Sequence, residues 1–176
     1  MKVFFGNGSR WGAKIDYSLE DKELSTMGPL KLIKDLPNNF LVMNADVLTD
    51  LNYKNFFNYH LKNQNLFTIS SHIRNEMIDY GVLIRGNKQN LKAFKEKPVE
   101  EFMVSMGIYA VNKKILDFIP KNKKFGFDNL MNKLLNKRMN ISFKIHNNSW
   151  LDIGRPEDYL KATEIFQKKK KSFIND

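Results

Sequence analysis

FLVMNAD, Phe40 to Asp46, is a compact apolar run that ends in a carboxylate. Four consecutive apolar residues without helical spacing suit a buried strand in a layered α/β domain. In open α/β sheets, ligands gather at the carboxyl ends of strands. Asp46 therefore stands where a divalent cation would be held. It equally suits an ordinary turn-forming aspartate, and the stretch alone does not choose.

Strand-like and helix-like runs alternate on both sides of it, which argues for an α/β fold. Ala13–Tyr17 alternates as a strand would. Pro29 opens a short apolar helix through Leu36, with proline near its first position. Tyr53–Lys62 reads as a helix and Leu66–Ser70 as a strand. Gly81–Arg85 and Leu91–Glu96 flank a Gly86-Asn87 turn, a hairpin signal. Val104–Val111 reads as a strand with Gly107 inside it, the mark of a bulge or of close approach by a ligand. Lys113–Phe118 and Phe127–Asn136 read as helices, Ile141–Ile145 as a strand, and a last helix starts at Pro156. No repeat or linker breaks the chain, so residues 1–176 are expected to form a single domain.

Hydrophobic residues make up 42% of the 176, enough for a substantial core. No apolar window is long enough for a membrane span, and the N-terminus has no signal-peptide pattern. Cysteine is absent, which excludes thiolate metal sites and fits a cytoplasmic location. The net charge of +10 admits phosphorylated ligands, nucleic acid or an anionic membrane. The basic residues are scattered, apart from Lys168–Lys171, and no nucleic-acid motif accompanies them. Neither nucleic acid nor membrane is expected as a partner.

SWLDIGRPEDY, Ser149 to Tyr159, carries a second acid, Asp152, at a strand-to-helix junction. It reads either as a plain helix N-terminus or, if the fold brings it to Asp46, as half of a shared Mg²⁺ site. In FKEKP, Lys97 suits a phosphate and Glu96 suits sugar hydroxyls; a solvated strand end is the alternative. LSTMGP precedes a helix start, where backbone amides favour anions and polar ligand edges; a simple helix entry is the alternative. His60, His72 and His146 are isolated in sequence and read as ordinary residues.

Taken in order, seven stretches resemble the sugar-phosphate nucleotidylyltransferases: LSTMGPL, FLVMNADVLTD, DYGV, FKEKP, VSMGIYAV, FGFDNLM and WLDIGRPEDY. The last is most similar to the mannose-1-phosphate guanylyltransferase branch. The resemblance implies a Rossmann-like mixed open sheet with flanking helices, of the nucleotide-diphospho-sugar transferase type. It implies transfer of a nucleotidyl group from an NTP to a sugar 1-phosphate, releasing pyrophosphate. By resemblance, Asp46 and Asp152 are the catalytic pair that holds Mg²⁺. The backbone near Gly28 meets the base, and Gly81, Glu96, Lys97 and Ser105 surround the sugar or its phosphate. Gly107 joins this set as the glycine inside its strand.

The sequence departs from the family pattern in three places. Asn44-Ala45-Asp46 stands for the usual NGD, and Met27 stands for the usual alanine. The GxGTRLxPLT loop that cradles the triphosphate has no counterpart. The family's first two strands are therefore expected to be missing, and activity of the chain alone is expected to be impaired. A non-catalytic sugar-phosphate-binding or partner-binding relative is the alternative. An unpaired apolar edge at Phe40–Met43 would favour homo-oligomers or a complementing N-terminal segment. Met1–Leu24 is expected to pack more poorly than the rest.

Overall fold

A computed structural model describes residues 1–154 and 156–174. The elements run α1 (Lys2–Phe5), β1 (Asn39–Met43), β2 (Val47–Thr49), α2 (Tyr53–Lys62), β3 (Phe67–Met77), β4 (Val82–Arg85), β5 (Leu91–Lys95), β6 (Val99–Asn112), α3 (Phe127–Asn136), β7 (Ile141–Ile145), β8 (Trp150–Asp152) and α4 (Pro156–Phe173). Short 3₁₀ turns cover Ser9–Trp11, Gly28–Leu32 and Lys113–Phe118. The chain divides into two compact units: Met1–Phe40 with Asn112–Asn140, and Leu41–Val111 with Ile141–Asp176.

In the second unit a four-stranded sheet has the order β1-β6-β3-β7. β3 runs antiparallel to β6 and parallel to β7, so the sheet is mixed. The pairs Phe67–Val111 and Thr68–Ala110 lie at its buried end. The register shifts between Ile69 and Ser71, opposite Gly107 with φ 76°, which is the bulge that a glycine inside a strand announces. α2 starts at Asn52, whose side chain accepts from the Asn55 amide at 2.8 Å. Phe56 and His60, one turn apart, are its buried residues. Phe56 packs with Ile108 and Ala110 under Leu41, Val47 and Leu51. Burying such a phenyl ring contributes about 1.5–3 kcal/mol. Burial also holds the His60 imidazole below its ordinary pKa, while its Nδ1 bonds Thr68 Oγ1 at 2.8 Å.

In the first unit α3 buries Leu130, Met131 and Leu134. Its start is tied down by the Phe127 amide, which donates to Thr26 Oγ1 at 2.9 Å. The amides of Met27 and Gly28 both donate to Phe125 O, and the Phe125 amide donates back to Leu24 O.

Four expectations need correction. Ala13–Tyr17 is not a strand; the amides of Ala13 and Ile15 are taken by Gly8 O and Asn7 O, a local turn that leaves no ladder to form. Pro29 opens only a 3₁₀ turn ending at Leu32, because Ile33 is already extended. Lys113–Phe118 is likewise a 3₁₀ turn. Phe40–Met43 is not buried: Phe40, Leu41 and Val42 are half-buried and Met43 is exposed, because β1 lies at the sheet edge. Within Met1–Leu24 only Gly8 and Leu24 are buried, so most of this segment packs poorly.

Candidate functional site

The acids at the two strand ends meet through a small antiparallel ladder. β2 pairs with β8, with Val47 opposite Asp152, and the Ile153 amide donates to Asp46 O at 2.8 Å. Gly154 lies between the two side chains. A methyl group added there would stand 3.2 Å from Asp46 Oδ2 and 3.2 Å from Asp152 Oδ1. Those oxygens are therefore no more than twice that distance apart and face one small space. The Gly154 amide donates to Asp152 Oδ1 at 3.0 Å, which fixes that carboxylate.

The rest of β8 is anchored just as firmly. Trp150 Nε1 donates to Met106 O at 3.2 Å, and Thr49 Oγ1 donates to Ser149 O at 2.8 Å. Upstream, His146 Nε2 meets Asp50 Oδ1 at 2.8 Å, with both side chains nearly buried. His72 Nδ1 lies 2.8 Å from His146 O; a carbonyl only accepts, so this nitrogen carries the proton. Two histidines that sequence reading set aside thus position the strand that carries Asp152. Nothing in their spacing signals it, since residues 72 and 146 meet only through β3 and β7.

A cavity of about 730 Å³ opens beside the acids. Among the described residues its wall includes Asp46, Asp152, His72, Arg74, Asp158 and Lys161. Arg74, Asp158 and Lys161 had no part in the sequence reading. Arg155, within the WLDIGRPEDY stretch, lies outside the described residues.

The remaining sequence candidates fall elsewhere. Glu96 and Gly81 are neighbours: a methyl on Gly81 would stand 3.3 Å from Glu96 Oε2 and would strike the Phe94 ring. Lys97, with φ 41°, pairs through Nζ with Asp79 Oδ1 at 2.7 Å. Neither Glu96 nor Lys97 is among the described residues lining the cavity beside Asp46. Ser105 Oγ accepts from the Gly107 amide at 3.3 Å and donates to Tyr109 OH at 3.2 Å. Burial raises the Tyr109 pKa, and that bond partly offsets the rise. Gly107 is approached by Asn44 of the same unit, and its carbonyl accepts from the Asn44 amide at 2.9 Å. Gly28 belongs to the first unit, and its amide is taken by Phe125 O.

The profile of the family described as nucleotidyl transferase matches residues 1–169. The chain belongs to that family. Its relatives include the mannose-1-phosphate guanyltransferase 2 of Candida glabrata, 29% identical over 89% of this chain and 45% of that protein. The mannose-1-phosphate guanyltransferase of Saccharomyces cerevisiae is 28% identical over the same shares. The chain thus spans about half the length of the curated relatives it matches. Among solved structures, HddC from Yersinia pseudotuberculosis is similar at 27% identity and TM-score 0.63, over 88% of this chain and 68% of that one. HddC has also been solved with GMP-PN. A Bacillus anthracis protein solved with sucrose matches at TM-score 0.69 and 19% identity, which bears on the fold alone.

The acid pair suits Mg²⁺. This ion is commonly held by one or two carboxylates, with water and substrate phosphates completing its shell. Among the described residues no group of three or more His, Asp or Glu side chains is arranged for a metal. The space that a methyl on Gly154 would fill is bounded by both oxygens, so the glycine keeps it open. No described helix is long and apolar enough to cross a membrane.

Proposed function

We propose that this chain carries the metal and sugar-phosphate half of a sugar-1-phosphate nucleotidylyltransferase with a guanine nucleotide as donor. The observation that carries the reading is the convergence of Asp46 and Asp152 on the space beside Gly154. The names of the fungal relatives and the nucleotide bound to HddC support the choice of substrates. In the reaction, an oxygen of the sugar 1-phosphate attacks the α-phosphorus of the nucleotide. The bond from that phosphorus to the β-phosphate oxygen breaks, and pyrophosphate leaves with the electron pair. Asp46 and Asp152 would hold Mg²⁺, which neutralises charge on the phosphates when bound. Asp50, His146 and the Gly154 amide keep β8 and its carboxylate in place. Positioning and charge stabilisation carry such a transfer, with no covalent intermediate on the protein.

The sequence has no GxGTRLxPLT loop. Loss of one charge-stabilising donor typically costs about 10²–10³ in rate. We therefore expect slow or no turnover from this chain alone, which also leaves room for a non-catalytic sugar-phosphate-binding relative. The experiment is Mn²⁺ titration followed by electron paramagnetic resonance, with pyrophosphate release from GTP and mannose 1-phosphate measured beside it. Wild type should bind Mn²⁺, and Asp46→Asn and Asp152→Asn should each lose most of that affinity. Unchanged binding in both variants would refute the shared site. Sugar-phosphate binding without any pyrophosphate release, even after an N-terminal loop segment is supplied, would favour the non-catalytic reading.

A further inference from the structure

The wall of the cavity beside the acid pair carries positive as well as negative charge. Arg74 reaches it from β3 and Lys161 from α4. A site for a bare divalent cation gains nothing from two neighbouring cations, because like charges repel. A site for a cation together with phosphate uses both signs.

The described charges of the wall are Asp46, Asp152 and Asp158 against Arg74 and Lys161. That balance is net negative before a divalent cation enters and net positive afterwards. Anion capture would then follow metal capture. The two basic side chains are well prepared for it. Arg74 Nε donates to Glu76 Oε1, which steadies the guanidinium and leaves its terminal nitrogens for a ligand. Among the described residues Lys161 forms no ion pair. Lys97, the cation favoured by the sequence, is already paired with Asp79.

Resting on the proposed nucleotidyl transfer, we infer that Arg74 and Lys161 hold the pyrophosphate portion of the metal-bound nucleotide in this cavity. They meet the charge that builds on the leaving oxygen as the α-phosphorus bond breaks.

The test is calorimetric titration of the full chain with inorganic pyrophosphate, with and without Mg²⁺, beside Mn²⁺ titration without pyrophosphate. Wild type should bind pyrophosphate only when the metal is present. Arg74→Gln and Lys161→Gln should each weaken that binding about tenfold or more, the scale of a lost charge-assisted hydrogen bond. Arg74→Lys should fall between, since it keeps charge but not the planar fork. Mn²⁺ affinity should be unchanged or slightly tighter in all three. Both side chains are exposed, so melting temperatures should stay near wild type and exclude misfolding as the cause. Wild-type pyrophosphate affinity in both Gln variants would overturn the inference, as would Mn²⁺ binding without any pyrophosphate binding. Pyrophosphate binding that needs no metal but is lost in the Gln variants would support the phosphate site while overturning the metal reading. Binding of neither ligand would overturn both.

Discussion

Gly107→Ala would show whether the bulge in β6 holds the acid pair in place. Gly107 sits at φ 76°, where a residue with a side chain costs about 1–2 kcal/mol. Its new methyl would stand 2.8 Å from Asn44 Nδ2 and 3.1 Å from Asn44 Cγ. Relieving such overpacking adds about 1–2 kcal/mol, so the total is about 2–4 kcal/mol. For a chain of this size that corresponds to a melting shift of roughly 4–16 °C. Asn44→Ala separates the two contributions. It removes Nδ2 and Cγ and leaves Cβ at an ordinary 3.4 Å, so only the backbone cost remains. The assay is urea unfolding in a Trp11→Phe background, where Trp150 is the only tryptophan and reports its own unit. The double-mutant cycle should give a coupling of about 1 kcal/mol or more. Mn²⁺ affinity should fall with Gly107→Ala, because Asn44 is two residues from Asp46 and moves with it. Equal costs in the two backgrounds would refute the steric argument, and a cost below about 0.5 kcal/mol would refute the strained conformation as well.

Burial depresses the pKa of His60 below its ordinary 6.5, so the unfolded chain binds the proton first. Stability should therefore be full above pH 6.5 and fall as the pH drops below it toward the folded value; melts from pH 7.5 to 5 should show this, and an unchanged slope in His60→Gln would count against it. Phe56→Ala empties a fully buried site against Ile108 and Ala110 and should cost about 3–5 kcal/mol. A cost near 1 kcal/mol by urea unfolding would mean that the surrounding core collapses freely.

α2 and α3 were legible to the residue because each carries a buried stripe, and α2 also carries its own start signal. Asn52 caps the first, and Leu130 and Leu134 line the second. β7 was equally legible, as a short apolar run between turn residues. Ala13–Tyr17 misled because alternation describes a strand only where a partner edge exists, and here the amides turn back on residues 7 and 8. The burial of β1 misled for a related reason, since an apolar run does not reveal which strand takes the edge. Asp46 and Asp152 were visible as acids at strand ends, but their convergence depends on the pairing of β2 with β8. Arg74, His72 and Lys161 were not legible at all. The register of β3 and the phase of α4 bring them to one wall, and neither is encoded in local spacing.

β3 is one strand with two mechanical characters. Phe67–Ser71 is clamped on both sides, by β6 and β7, and is largely buried. From His72 onward β7 no longer runs alongside, and Arg74–Met77 is an exposed ribbon paired in register with β6. Two-stranded ribbons in water are marginally stable by themselves. Amide protons of Phe67–Ser70 should accordingly persist until the unit opens globally, while those of Arg74–Met77 exchange through local fraying. Arg74 rides on the fraying half. A phosphate captured by Arg74 would slow exchange in its own ribbon, so ligand entry could be followed residue by residue from the backbone, without any label on the ligand.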